Sequence, residues 1–329
     1  MQRDRRLFCQ HALALGAAAV AAPAWAQNEK FPSKPIKVVV PYPAGGQTDT
    51  IARIACTNAA QTLGQPVLVD NRPGVGGQLG AEMVAKSPAD GYTLLLGLSG
   101  TMPSGSALYR KLKYDPADLR CVTEMVSSGA VWLVNASLPV NNMRELVAYA
   151  KANPDKVSVG SWGPGTFGHA SQHLLDTHYG AKMLHVPYKG EAQLITDLVG
   201  GQIGLTMVSA MTAKAHLKSG KIRAIGFSGD ARTAVFPDLP TVAEQGFKEP
   251  YWMMSGPTAL FAPKATPADV VAQISAAFMK AAQDPKFQEF AREAGAVVVG
   301  NSVPDAQANY SRYFDVIKKV VQGTGVVID

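Results

Sequence analysis

The sequence is short of the features that define most functional classes. It holds three cysteines in 329 residues. Cys9 lies in the leader described below, while Cys56 and Cys121 are far apart in segments that read as buried. They are therefore expected as two separate small core residues, with pairing in an oxidising compartment as the alternative. No apolar run approaches the roughly 20 residues that a membrane span needs. Lys and Arg are scattered rather than clustered, which leaves no footprint for nucleic acid. None of the glycine-rich turns is followed by a Walker lysine, so phosphate-loop chemistry is not expected. The nearest approach to a dinucleotide fingerprint, Gly74-Val75-Gly76-Gly77-Gln78-Leu79-Gly80, follows the second predicted strand, and glycine spacing alone is weak evidence. Ser161-Trp162-Gly163 lacks the Gly-x-Ser-x-Gly frame of a nucleophile elbow. His169 and His173 stand i, i+4 on one predicted helix, a spacing that zinc sites use, but no acidic partner shares their turn. No catalytic residue, metal or cofactor is expected. No solenoid-period repeat or low-complexity segment is present.

What the chain does have begins with a leader. Arg3, Arg5 and Arg6 form a basic start, residues 12–22 a short apolar run, and Ala24-Trp25-Ala26 a small-x-small cleavage site. Arg5-Arg6-Leu7-Phe8 has the form of a twin-arginine export signal, with a Sec signal as the alternative. Residues 1–26 are therefore expected to be removed and the mature chain to be periplasmic. The formal net charge is +6, and the leader's three Arg and one Asp account for a share of it. What is left is mild and decides nothing about partners. Residues 27–329 suffice for two domains of ordinary size.

The organising stretch is residues 36–53. Ile36-Lys37-Val38-Val39-Val40 reads as a buried strand, which Pro41 and Pro43 terminate because neither can donate to a sheet ladder. Gly45-Gly46 permits a sharp turn, and Thr48 and Asp49 stand where a helix N-cap belongs. Strand, glycine turn and helix N-terminus together make the geometry of an anion site, with unpaired N–H groups and the positive dipole end facing out; an ordinary βα turn is the alternative. The pattern recurs. Strands are predicted at 66–72 and 92–97 and a helix at 78–87, with glycine-rich or small polar exits at 73–77 and 98–101. Alternation at this spacing implies a parallel α/β sheet, whose ligands bind beyond the carboxyl ends of the strands. After short strands at 121–126 and 131–134, a second α/β module follows. In it the turn 161–166 opens a helix at 167–179, and the strand 184–187 exits through Tyr188-Lys189-Gly190. Helices at 267–283, 285–293 and 304–321 close the chain.

Several ordered stretches resemble one family. Pro41-Tyr42-Pro43-Ala44-Gly45-Gly46-Gln47-Thr48-Asp49 with Ala52-Arg53 matches its first signature, and Val69-Asp70-Asn71-Arg72-Pro73-Gly74-Val75-Gly76-Gly77 its second. Asp90-Gly91-Tyr92-Thr93-Leu94-Leu95, Leu108-Tyr109-Arg110-Lys111-Leu112, His185-Val186-Pro187-Tyr188-Lys189-Gly190, Asp197-Leu198-Val199-Gly200-Gly201 and Pro237-Asp238-Leu239-Pro240-Thr241 continue in order. On these the chain is identified as a member of the Bug, or TctC-like, family of extracytoplasmic receptors for tripartite tricarboxylate transporters.

The resemblance implies an α/β fold of the type II periplasmic binding protein class, a two-domain Venus flytrap with parallel-type sheets flanked by helices. Domain I would comprise residues 27–130 and 228–329 and domain II residues 131–227, hinged near 127–129 and 228–230. It implies a monomer that captures a small carboxylate for integral-membrane permease subunits. Carried over, the ligand-binding residues are Tyr42, Ala44, Gly45, Gly46, Gln47, Thr48, Asp49 and Ser99, facing Ser161, Gly163, Gly165, Thr166, His169, Tyr188, Lys189 and Gly190. Tyr42, Trp162, Phe167 and Trp252 are candidates to line the cleft, with plain packing as the alternative. The chain departs from the family pattern at Gly204, where relatives carry Asp, at Pro257 and Ala259, and at Gln47. A sensor that presents ligand status to a signalling partner shares the same pocket and stays open as a second function.

Overall fold

Ile36–Val40 forms strand β1, and its Ile36, Val38, Val39 and Val40 are wholly buried. A strand buried on both faces needs cover on both, and β1 lies inside its sheet. The structure is a computed structural model that describes residues 30–188 and 191–329. Residues 1–26, with the expected leader and cleavage site, and the candidate residues Lys189 and Gly190 lie outside the described residues. Residues from Lys34 to Asp329 pack as one unit.

In chain order the first part runs β1, α1 (Gln47–Leu63), β2 (Val67–Asn71), α2 (Gln78–Ala85), β3 (Thr93–Leu98), α3 (Thr101–Leu108) and β4 (Leu119–Ser128). The second runs β5 (Ala130–Asn135), α4 (Met143–Ala152), β6 (Val157–Ser161), α5 (Phe167–Tyr179), β7 (Met183–Pro187), α6 (Glu191–Val199), β8 (Leu205–Val208), α7 (Ala210–Leu217) and β9 (Ile222–Ser228). The chain ends through β10 (Gly256–Pro263), α8 (Ala268–Ala282), α9 (Pro285–Glu293), β11 (Ala296–Val298) and α10 (Val303–Gly323).

These strands form two sheets, ordered β11-β4-β10-β3-β1-β2 and β7-β6-β8-β5-β9. Each sheet has the predicted parallel core, β2-β1-β3 in one and β7-β6-β8 in the other. Each is then extended by antiparallel strands, β10, β4 and β11 in the first and β5 and β9 in the second. Mixed sheets of this kind are common among large sheets.

One crossing is a single residue. Ser128 pairs with Gly256 in the first sheet and Ala130 pairs with Ser228 in the second, so only Gly129 stands between them. The return differs from the expected 228–230. After β9, Val242, Phe247, Tyr251 and Trp252 join the buried cluster of the second sheet, and the chain enters the first sheet only at Gly256. The two passages lie side by side, since the Asp230 N–H donates to Ser255 Oγ and Ser255 Oγ donates to Asp230 Oδ1 at 2.6 Å. The two layers also meet through apolar contact: Leu108 of α3 and Ile317 and Val321 of α10 share a buried cluster with Trp132, Leu174 and Trp252. Cys56 and Cys121 are free and buried in separate places, as expected for core residues.

Asp176 on α5 carries a pH dependence of its own. Gln172 Nε2 donates to its Oδ2 at 3.3 Å, but Oδ1 has no partner among the described residues. Burial, aided by the Asp155 charge, pushes its pKa up to about 6 against the opposing bonds from Gln172 and Met183. A carboxyl raised above its unfolded value holds its proton more tightly when folded, so its stabilising share is present at low pH and lost as pH rises through about 6. Asp176→Asn is therefore expected to raise the denaturation midpoint at pH 7.5, with the gain shrinking towards pH 4. A lower midpoint at both pH values would contradict this.

Candidate functional site

The candidate loops lie at the carboxyl ends of the parallel strands. β1 ends at Val40, and residues 41–46 lead into α1. Gly45 takes a positive φ of 88°, while Gly46 is extended at φ −80° and serves as the N-cap of α1 with no side-chain cap bond. The left-handed position demanded by the turn thus falls on Gly45 rather than Gly46. Thr48 and Asp49 are not the cap, as the sequence suggested; they are the second and third residues of the helix.

Asp49 reaches back instead. Its Oδ2 accepts from the Gly45 N–H at 2.8 Å and from Arg53 Nε at 2.9 Å, and its Oδ1 accepts from Asn71 Nδ2 at 2.9 Å. Asn71 Nδ2 also donates to the Tyr42 carbonyl at 3.1 Å. Loop 42–46, the end of β2 and the first turn of α1 are therefore tied to one carboxylate that is only 3% exposed. Burial works to raise its pKa, but the bonds from Arg53, Gly45 and Asn71 outweigh it and hold the carboxyl below its usual range. The Gly45 N–H is thereby spent on Asp49. The amides of Gln47 and Thr48, in the first turn, keep no backbone or side-chain partner among the described residues. Ala44, Gly45 and Gly46 are exposed, and Gln47 and Thr48 half-buried.

The three strand exits converge on Tyr42. Its hydroxyl lies 2.7 Å from Thr101 Oγ1, and burial raises its pKa. A Cβ on Gly77 would stand 3.3 Å from the same hydroxyl and 3.1 Å from Thr101 Cγ2, so the second glycine turn needs its glycine for close approach. Ser99, at the exit of β3, is 1% exposed. Its N–H donates to the Pro257 carbonyl at 2.9 Å, yet its Oγ has no partner among the described residues.

The opposing loop, 161–166, follows β6. Ser161 Oγ lies 2.6 Å from His185 Nε2 and accepts from the Gly163 N–H at 3.0 Å. Thr166 Oγ1 donates to the Gly163 carbonyl at 2.7 Å, and Thr166 is the extended N-cap of α5. His169 Nδ1 accepts from the Gly165 N–H at 3.1 Å, and its ring lies 4.3 Å from that of His185. Burial lowers the pKa of both rings, that of His169 to about 4 with the neighbouring histidine charges adding to the effect. His173, the expected i, i+4 partner, lies instead against α10, its Nε2 3.1 Å from where a Gly323 Cβ would be. Among the described residues no group of three or more His, Cys, Asp and Glu is placed to hold a metal. The Tyr188 hydroxyl donates to Asp197 Oδ2 at 2.8 Å, and its N–H donates to the Ser161 carbonyl.

What joins the two loops is α3, which sequence reasoning did not find. Thr101 in its first turn touches Tyr42, and Ser104, one turn on, donates from Oγ to the Gly165 carbonyl at 3.1 Å. Gly165 sits so close to α3 that a Cβ there would meet Leu108 Cδ1 at 2.3 Å. Of the aromatic candidates, Trp162 is exposed at the tip of its loop, Phe167 stacks on Tyr251 at 5.3 Å, and Trp252 is a buried core residue. An open hollow lined by Pro285, Gln288, Glu289, Arg292, Ala296 and Val298 lies elsewhere and includes none of the loop residues.

Comparison with known proteins places the chain among receptors of one family. The structure of the periplasmic binding protein BugD is 33% identical and covers 90% of this chain and 99% of its own, with a TM-score of 0.76. A protein from R. palustris solved with adipate is 31% identical over 91% of this chain and 100% of its own, TM-score 0.79. MatC from Rhodopseudomonas palustris, solved with bound malate, is 32% identical over 87% of this chain and 100% of its own, TM-score 0.73. Residues 51–322 match the family described as Tripartite tricarboxylate transporter family receptor, TctC. With ordered motifs, fold and family match in agreement, the chain belongs to that family of substrate-binding receptors.

Proposed function

We propose that this protein is a periplasmic receptor that captures a small carboxylate and presents it to the membrane subunits of a tripartite tricarboxylate transporter. The observation that carries the reading is the pair of glycine loops, 42–49 and 161–169. Each feeds a helix N-terminus, and α3 holds the two together. First-turn amides have no intrahelical partner and point at the space outside the helix, where the dipole favours an anion. Ser99 adds a buried hydroxyl in want of a partner. The bound malate and adipate of two relatives support a carboxylate as the ligand class. The basic leader with its small-x-small site supports export. Among the described residues no helix is long and apolar enough to cross a membrane, which suits a receptor that hands its ligand to separate membrane subunits.

A thermal-shift panel of small mono- and dicarboxylates, malate and adipate included, tests this. Ligand at a hundred times its Kd stabilises by about 2.7 kcal/mol, which moves Tm by several degrees. No shift with any member would count against the reading, and accumulation of a chemically altered carboxylate would show an enzyme instead.

A further inference from the structure

Beside Tyr42 and Thr101 stand two hydroxyls with nothing to bond. Ser99, at the exit of β3, is 1% exposed, and its Oγ has no partner among the described residues. Tyr313 of α10 is its neighbour. A Cβ on Gly100 would lie 3.3 Å from the Tyr313 hydroxyl and one on Gly256 3.5 Å. That hydroxyl therefore sits between the residues that flank the bond from the Ser99 N–H to the Pro257 carbonyl. Three tyrosines meet here, since Tyr313 bears electrostatically on Tyr251, and Tyr42 on Tyr313. The Tyr42 hydroxyl is bonded to Thr101, and that of Tyr251 donates to the Phe167 carbonyl at 3.0 Å. Tyr313 is half-buried, and its hydroxyl has no hydrogen-bond partner among the described residues. Burial, aided by Tyr42, raises its pKa, so it stays a protonated donor at neutral pH.

A hydroxyl both donates and accepts. Leaving a buried one unbonded is unfavourable, so two at one place suit a ligand group that bonds both at once. Among the described residues no Lys, Arg or His hydrogen-bonds to Ser99, Tyr313, Tyr42 or Thr101. A second ionised carboxylate seated here would lack a counter-charge, which is costly in a buried place. A hydroxyl needs none: it donates to one of the two oxygens and accepts from the other. We propose that Ser99 and Tyr313 form a subsite that reads a hydroxyl on the bound acid, which makes this protein a receptor for hydroxy-carboxylates. This rests on the carboxylate reading above, and it adds a specificity-determining residue from the last helix, outside both glycine loops. The glycines at 100 and 256 belong to the subsite, because a side chain at either would crowd the Tyr313 hydroxyl.

Calorimetry with pairs of acids that differ by one hydroxyl tests this: malate and succinate, lactate and propionate, mandelate and phenylacetate, with adipate as a further acid lacking a hydroxyl. In the wild-type protein the hydroxy member of at least one pair is expected to bind about tenfold more tightly than its partner, or better. A site built to bond a hydroxyl rejects the analogue without one, because its own polar groups are then left unpaired. Ser99→Ala and Tyr313→Phe are each expected to collapse that preference towards unity by weakening the hydroxy acid, with affinity for its partner nearly unchanged. Ser99→Ala also removes a buried hydroxyl that bonds nothing in the free protein, so the ligand-free variant is expected to melt no lower than wild type. A preference unchanged in both variants, or an equal loss for both members of a pair, would overturn the inference. So would a wild-type protein that binds adipate or the hydroxyl-free members as tightly as the hydroxy acids, and each of these results leaves the receptor reading intact. Failure of the wild-type protein to bind any of these acids would strike the receptor reading itself, and the subsite with it.

Discussion

Asp49→Ala is expected to destabilise the protein by about 3 kcal/mol and to abolish measurable carboxylate binding. The substitution strips an acceptor from three donors at once, the Gly45 N–H, Arg53 Nε and Asn71 Nδ2. Hydrogen bonds to a charged group contribute about 1.5–3 kcal/mol each, but they are not additive. The share of Arg53 is discounted because its side chain is 53% exposed and screened by solvent. Gly45 would be released from its positive φ and the loop from the end of β2, so the first-turn amides of α1 would lose their placement. The sign of the pH dependence follows from the lowered pKa of Asp49. Its contribution is present above the ordinary carboxylate value and disappears as pH falls through the lowered folded value. Denaturant unfolding at pH 7 should thus separate wild type from variant clearly, and unfolding near pH 3 much less. A loss under 1 kcal/mol at pH 7, with binding kept, would show that the clasp does not hold the loop.

Gly129→Ala is expected to cost about 3 kcal/mol or more, although it adds a single methyl group. A Cβ at that position would lie 1.9 Å from the Ser228 carbonyl oxygen and 2.4 Å from Phe227 Cζ. Overpacking normally costs about 1–3 kcal/mol, and here the obstacle is backbone that cannot rotate aside. The adjoining Ala130–Ser228 pair would have to open, and with it the bond from Trp132 Nε1 to Ser228 Oγ at 2.8 Å. Because Gly129 alone links the two sheets on this side, the displacement falls on the passage that sets how the two loops face each other. Chemical denaturation measures the cost, and stability within 0.5 kcal/mol of wild type would mean that the crossing has more room than its geometry allows.

Much of this architecture is legible in the sequence because local chemistry and tertiary role coincide. Val38-Val39-Val40 followed by two prolines and two glycines can hardly be other than a buried strand that stops at a loop, and the same holds for 157–166. Ser127-Ser128-Gly129 marked the crossing because small residues interrupt two apolar runs. Other parts are hidden for physical reasons. α3 contains Pro103 and Gly105, both poor helix formers. It survives because proline is tolerated in a first turn and because Met102 and Leu108 are buried. β10 begins Gly256-Pro257 and ends at Pro263, so it lacks a strand's pattern at either end, yet its alternation of partners between β3 and β4 places it in mid-sheet. Residues 229–255 bury Val242, Phe247 and Trp252 without any helical or strand period, so their attachment to the second sheet could not be read from spacing. Asp49 reads as a cap in the sequence because a carboxylate at the N-cap or at the third helical position leaves the same mark. The spacing that distinguishes it, glycine four residues before the clasp, occurs at both Gly45–Asp49 and Gly165–His169. The contact of His169 with His185 joins a helix to a strand that follows it and has no local sign at all.

The central claim is that two glycine loops facing each other across α3 bind a small carboxylate. It is tested most directly by following backbone amide shifts during titration with malate and adipate. The account predicts saturable, one-to-one shifts concentrated in residues 42–49 and 161–169, with Gln47, Thr48 and the first turn of α5 among the largest. Shifts confined to the distant hollow at residues 285–298, or none that saturate with either acid, would contradict it.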